Sequence, residues 1–160
     1  MKHITERVTY IGVVDWDRRL FDELIETPHG TSYNSYLVKG SEKTALIDTV
    51  DDAKVEQLLK HLESVDELDY IISNHAEQDH TGSLTAVLAK YPKAKVVCNK
   101  TCMGMLIDEH GIAKERFYLI EDGQELSLGD RTLRFVFTPW VHWPETMCTY
   151  LVEEQLLFTC

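Results

Sequence analysis

The stretch Ile71-Ile72-Ser73-Asn74-His75-Ala76-Glu77-Gln78-Asp79-His80-Thr81-Gly82-Ser83 constrains this chain more than any other. Two isoleucines close a short apolar run that reads as a buried strand. Four groups able to ligate a metal follow within six residues: His75, Glu77, Asp79 and His80. A Thr-Gly-Ser step then leads into an apolar run that can start a helix. The polar cluster therefore stands at the junction between a strand and a helix. Crowding imidazoles and carboxylates against the tip of a buried strand is costly unless their charge and polarity are compensated. A bound cation is the simplest compensation.

The spacing says more. His75, Glu77 and Asp79 are two apart, so they share a face on an extended segment and can converge on a loop. His80 adjoins Asp79 and can face a different point. Two neighbouring cations, each seeing a subset, suit this arrangement better than one. A second region, Thr138-Pro139-Trp140-Val141-His142-Trp143-Pro144-Glu145-Thr146, places His142 between two Trp and two Pro after a strand. His142 is a candidate third imidazole from far along the chain. His3, His61 and His110 stand alone and are expected to be ordinary hydrogen-bonded residues. Zinc prefers imidazole and thiolate in a small coordination number. Mixed nitrogen and carboxylate donors suit iron or manganese better.

Composition narrows the alternatives. The chain has 160 residues, enough for one domain, with 44% hydrophobic and 27% charged content, as in globular proteins. Its net charge of -11 would repel phosphate backbones, so nucleic acid is excluded as an expected partner. No apolar run approaches the ~20 residues that span a bilayer. The first residues carry no apolar signal core, so the expected compartment is the cytoplasm. Cys98, Cys102, Cys148 and Cys160 form no Cys-x-x-Cys pair and are expected to be reduced, mostly buried residues.

The remaining pattern predicts helices on a mixed sheet. Val8–Val14 reads as a first strand, Thr27–Thr31 as a turn, and Tyr33–Val38 with Thr44–Thr49 as a hairpin. Val55, Leu58, Leu59 and Leu62 share one helical face between Asp52 and Glu63, capped by Asp51 or Asp52. Leu84, Val87, Leu88 and Tyr91 form a second helical stripe. Val96–Cys98 reads as a strand and Thr101–His110 as a helix stopped by Gly111. From Phe117 onward only strands are expected, ending in a hairpin of Met147–Val152 and Leu156–Cys160. That last strand runs to the end of the sequence, which gives the chain a cut appearance.

The run His75-x-Glu77-x-Asp79-His80, with His142 far downstream in Thr-Pro-x-x-His-Trp-Pro, resembles the flavodiiron proteins, the A-type flavoproteins that include rubredoxin:oxygen oxidoreductases. Thr27-Pro28-His29-Gly30-Thr31-Ser32-Tyr33-Asn34 and Leu46-Ile47-Asp48-Thr49 are also similar to that family. The resemblance covers nearly the whole chain. It implies a mixed α/β fold, a partial metallo-β-lactamase-like αββα sandwich, over residues 1–160. It implies two non-haem iron ions, one held by His75, Glu77 and His142 and the other by Asp79 and His80. Asp48 would orient a metal-bound imidazole, and His29 would lie near a pocket for diatomic molecules or be a turn residue without a chemical role. A bridging Asp is implied directly after Cys160, with a further His and a flavodoxin-like FMN domain beyond it. The implied activity is reduction of O2 to water or of NO to nitrous oxide. Electrons would come through FMN, from a rubredoxin-like donor, in a head-to-tail homodimer. Little activity is expected of these 160 residues alone. Two alternatives stay open: a zinc-dependent hydrolase of the wider superfamily, against which Glu77 counts, and an inactive metal-binding fragment.

Overall fold

A computed structural model describes residues 1–160. Its centre is a seven-stranded mixed sheet. In spatial order the strands are Lys2–His3, Val8–Tyr10, Tyr36–Lys39, Thr44–Ile47, Tyr70–Ile72, Lys95–Cys98 and Phe117–Leu119. The first four pair antiparallel, and from Thr44–Ile47 onward the pairing is parallel. Parallel neighbours need crossovers, which the helices supply. A second sheet of four antiparallel strands, Glu125–Ser127, Thr132–Phe137, Met147–Leu151 and Leu156–Phe158, covers one face of the first.

Strand periodicity separates two cores. Leu46, Ile71, Val96 and Cys98 point to the helices, where they meet Leu58, Leu62, Leu84, Val87, Leu88 and Leu106. Their neighbours Ala45, Ile47, Tyr70, Ile72 and Val97 point the other way, onto Leu126, Leu128, Leu133, Phe135, Met147, Leu151 and Phe158. Successive side chains alternate across a pleated strand, so three short apolar strands serve both cores at once. The layers run helices, sheet, sheet. The outer face of the four-stranded sheet, with Val136 and Leu157, is exposed. These layers agree with the partial sandwich expected from sequence.

Several local expectations need correction. The predicted strand Val8–Val14 is two: Val8–Tyr10 joins the large sheet, and Val13–Asp15 pairs with Thr31–Tyr33. Gly12 sits at the break, where a Cβ would lie 2.2 Å from the Tyr33 carbonyl oxygen, so backbone crowds backbone there. Tyr33 thus leaves the predicted hairpin, which is Tyr36–Lys39 with Thr44–Ile47. The helix expected from Asp52 starts as a 3-10 turn, Asp52–Lys54, and is α-helical over Val55–His61; Asp51 caps it by accepting from the Ala53 N–H. Phe117–Leu119 joins the first sheet, not the strands that follow it. The last strand stops at Phe158, and Cys160 is exposed beyond it. Cys98 and Cys102 are buried as expected, Cys148 only partly. No helix is long and apolar enough to cross a membrane.

Candidate metal centre

Three adjacent parallel strands end at the same edge, and ligands of open α/β sheets bind at such carboxyl ends. Asp48 follows Ile47, His75 follows Ile72 by three residues, and Asn99 follows Cys98. Asp48 has φ +53, the left-handed region that Asp tolerates better than most residues. In that conformation its N–H donates to the Ile72 carbonyl oxygen at 2.8 Å and its Oδ1 accepts from the Asn74 N–H at 2.8 Å. The two strand ends are thereby locked together. The one-turn helix Gln78–Thr81, which the sequence reading missed, carries Asp79 and His80. It packs against the 3-10 turn through Gly82, whose Cβ would lie 2.5 Å from the Asp52 nitrogen.

His75, Glu77 and His142 converge. One ligand atom from each lies within 4.8 Å of the others. His75 Nε2 is 2.9 Å and His142 Nε2 3.0 Å from the same oxygen, Glu77 Oε2. Glu77 occupies the N-cap position of the short helix, yet its carboxylate makes no cap bond; it is engaged by the imidazoles instead. The His75 ring is buried and packs edge-on against His142, His80 and Trp143, with centroids 5.1, 5.3 and 4.9 Å away. His142 is the exposed corner, its side chain 62% accessible. Its loop holds its shape through Thr146, whose hydroxyl lies 2.6 Å from the Thr138 oxygen and 2.8 Å from that of Val141. Trp140 in that loop has φ +65, an uncommon conformation for a bulky residue.

Asp79 and His80 stand beside this triangle. His80 Nε2 lies 3.7 Å from Asp79 Oδ2, and its Nδ1 is 3.2 Å from Asp48 Oδ2, too bent for a good hydrogen bond. Asp79 Oδ1 is buried without a partner. Burial disfavours the charged form of His80, but its contact with Asp48 and the charges of Asp48, Asp79 and Glu77 outweigh it and lift its pKa to about 9. Burial likewise raises Asp79, with the negative charge of Glu77 adding to it against the opposing pull of His80. Burial would raise Glu77 as well, yet its contacts with His142 and His75 outweigh that and bring it below the usual range.

Two acids went unnoticed in the sequence. Glu145 is buried; its Oε1 lies 2.7 Å from His75 Nδ1 and accepts from the Ala76 N–H at 3.0 Å. Asp22, at φ +50, stands near enough to Glu77 that partial desolvation and the charges of Glu77 and Asp79 raise its pKa. A Glu within a Trp-Pro-Glu run or an Asp in an exposed loop carries no sequence signal of such a role. His29 is exposed in its turn, and no side-chain hydrogen bond joins it to the cluster. A cleft of about 490 Å³, lined by Lys43, Tyr70, Lys90 and Lys95 among others, is at the opposite end of the strands.

Five carboxylates and three imidazoles thus share one strand edge, with Glu77 Oε2 between two imidazole nitrogens and one Asp79 oxygen orphaned. This donor set fits metal cations. A family model described as "ODP family beta lactamase" matches residues 31–160, which include all five candidate ligands and Glu145. The chain belongs to the ODP family of beta-lactamase domains. Among its relatives, the type A flavoprotein fprA of Rhodobacter capsulatus is 42% identical over 96% of this chain and 36% of its own length. A nitric oxide reductase of Moorella thermoacetica is 37% identical, over 96% and 39%. The solved flavodiiron protein of Giardia intestinalis superposes with TM-score 0.92 at 34% identity, over 99% of this chain and 39% of that one. The rubredoxin oxygen:oxidoreductase of Desulfovibrio gigas superposes with TM-score 0.91 at 31% identity, over 98% and 39%. This ODP-family chain therefore spans a little over a third of the length of the relatives it matches.

Proposed function

We propose that this chain supplies the metal centre of a flavodiiron oxygen or nitric oxide reductase. The observation that carries the reading is the convergence of His75, Glu77 and His142 beside Asp79 and His80. On this reading His75, Glu77 and His142 hold one iron, and Asp79 and His80 hold donors of a second. When bound, the iron pair would take up O2 or NO and pass to it the electrons that an external flavin donor delivers. The residues of the chain do the rest. Glu77 draws the two imidazoles to one point, and Asp48 holds the His80 ring from behind. His75 and Trp143 wall the inner side of the centre against water, while the exposed His142 borders its open side.

The names of the relatives support this chemistry: two similar proteins are named for oxygen or nitric oxide reduction, one for two irons and one as a flavoprotein. Electrons would come through an FMN domain outside residues 1–160, refilled by a rubredoxin-like donor, with a head-to-tail homodimer bringing flavin to metal. The cytoplasm is the proposed compartment. His29, exposed in its turn, remains proposed as a residue near the diatomic gas. A zinc hydrolase is the weaker reading, because Glu77 stands among the imidazoles. The test is metal analysis with an electronic spectrum of the purified protein, then O2 or NO consumption with a reduced flavin donor. Two irons per chain and gas consumption are expected; a single zinc with ester or amide hydrolysis would overturn the proposal.

A further inference from the structure

We infer that Glu145 is the positioning residue of this centre: it fixes the ring of His75 and clamps the His142 loop onto the His75–Glu77 segment. The inference rests on the metal-binding reading above and deepens it.

The geometry is that of a clasp between two remote segments. Glu145 lies three residues from His142, and its side chain crosses to the other donor segment. There one oxygen takes both the Nδ1 side of the His75 ring and the next backbone N–H, that of Ala76. Its own backbone is gripped as well, because Asn99 Nδ2 donates to the Glu145 carbonyl oxygen at 2.6 Å. Asn99 is in turn fixed as the N-cap of the helix Lys100–His110, accepting from the Cys102 N–H. The remote loop is thus tied to a strand end and to a helix start through one residue.

The energetics favour a role. Glu145 is 1% exposed, and its second oxygen, Oε2, is buried with no partner. An apolar side chain there would avoid that desolvation cost, and a glutamine would satisfy the Ala76 N–H equally well. What an ionised carboxylate adds is a charged acceptor for an imidazole N–H. With the proton held on Nδ1, the lone pair of His75 is left on Nε2, the nitrogen that faces Glu77. A carboxylate behind a metal-binding imidazole fixes its tautomer and orientation and raises its basicity.

The test uses the whole chain with cobalt(II) as probe, in competition with a chelating dye, and nitrogen-15 NMR of the His75 ring in metal-free protein at a pH where the ring is neutral. The unsubstituted chain is expected to carry its ring proton on Nδ1. Glu145→Ala is expected to move that proton toward Nε2 and to weaken cobalt binding by about 10- to 100-fold. Glu145→Gln keeps the acceptor without the charge; it is expected to retain the Nδ1 proton and still to bind cobalt about tenfold more weakly. Leu106→Ala, a cavity in the helix-side core, controls for destabilisation and is expected to leave cobalt affinity unchanged. A ring proton that stays on Nδ1 in Glu145→Ala, or unaltered cobalt affinity in both Glu145 variants, would overturn the inference. Should Glu145→Ala not fold, unaltered affinity in Glu145→Gln overturns it alone. If the unsubstituted chain takes up no cobalt, the metal-binding reading fails; the NMR result then separately decides whether Glu145 sets the ring.

Discussion

The two halves of the candidate centre are built by opposite means. His75, Glu77 and His142 form a closed triangle in which every donor has a partner, and it exists only because a loop 65 residues downstream folds back to Glu77. Asp79 and His80 are chain neighbours on one turn of helix, close by covalent necessity, and an Asp79 oxygen remains unpartnered. The first half is thus preorganised by tertiary structure, at the cost of loop ordering that the sandwich core supports. The second is preorganised by local geometry alone. The comparison teaches that density of ligands in sequence and completeness of a site in space are different properties.

The largest expected effect comes from breaking the triangle. His75→Ala should remove cobalt or iron binding at the first position by more than the roughly 10- to 100-fold that loss of a supporting partner costs. It should leave a weaker site at Asp79 and His80, and titration with a chelator would resolve the two. Equal loss of both sites would show that the halves are one unit. Next, Asp48→Asn should weaken only the second position, by about 10-fold or more, because Asp48 faces His80 and not the triangle. A smaller effect is expected from Thr146→Val. It removes the hydroxyl that holds the His142 loop, costing about 1 kcal/mol of stability by denaturant unfolding and loosening the first position alone.

The smallest effect lies away from both halves and checks that acid acts on them rather than on the fold. Burial opposes the charge of Asp15, but Lys54, the Asp17 N–H and the Tyr33 hydroxyl overcome it and hold its pKa below the usual value. A depressed carboxylate stabilises the fold above its unfolded pKa of about 3.9, and this contribution is lost as pH falls through the folded value. Unfolding of Asp15→Asn should show less of this acid loss than the parent chain. Metal release by both proteins should follow the same pH curve. A shifted release curve in the variant would tie the centre to the fold's acid stability.

Much of this was readable beforehand. The helical stripes, the apolar parallel strands and the dense run at His75 follow from periodicity and local chemistry, and each recurs in the structure. Other features were hidden for identifiable reasons. Val8–Val14 reads as one strand because β-branched residues suit both sheets; only the crowding at Gly12 divides it. Glu145 and Asp22 look like surface acids because a single charged residue has no periodicity to reveal its direction. His142 was visible as a candidate, but its meeting with Glu77 was not deducible from spacing.

The sequence by itself determined which segments are strand or helix, and that nitrogen and carboxylate donors gather behind Ile72, because these depend on interactions within a few residues. The tertiary structure alone decided that Glu77 receives two imidazoles, that Asp48 stands behind His80, and that a buried Glu145 ties the two loops. Those contacts join segments dozens of residues apart, and only the stacking of one sheet on the other brings them within hydrogen-bonding reach.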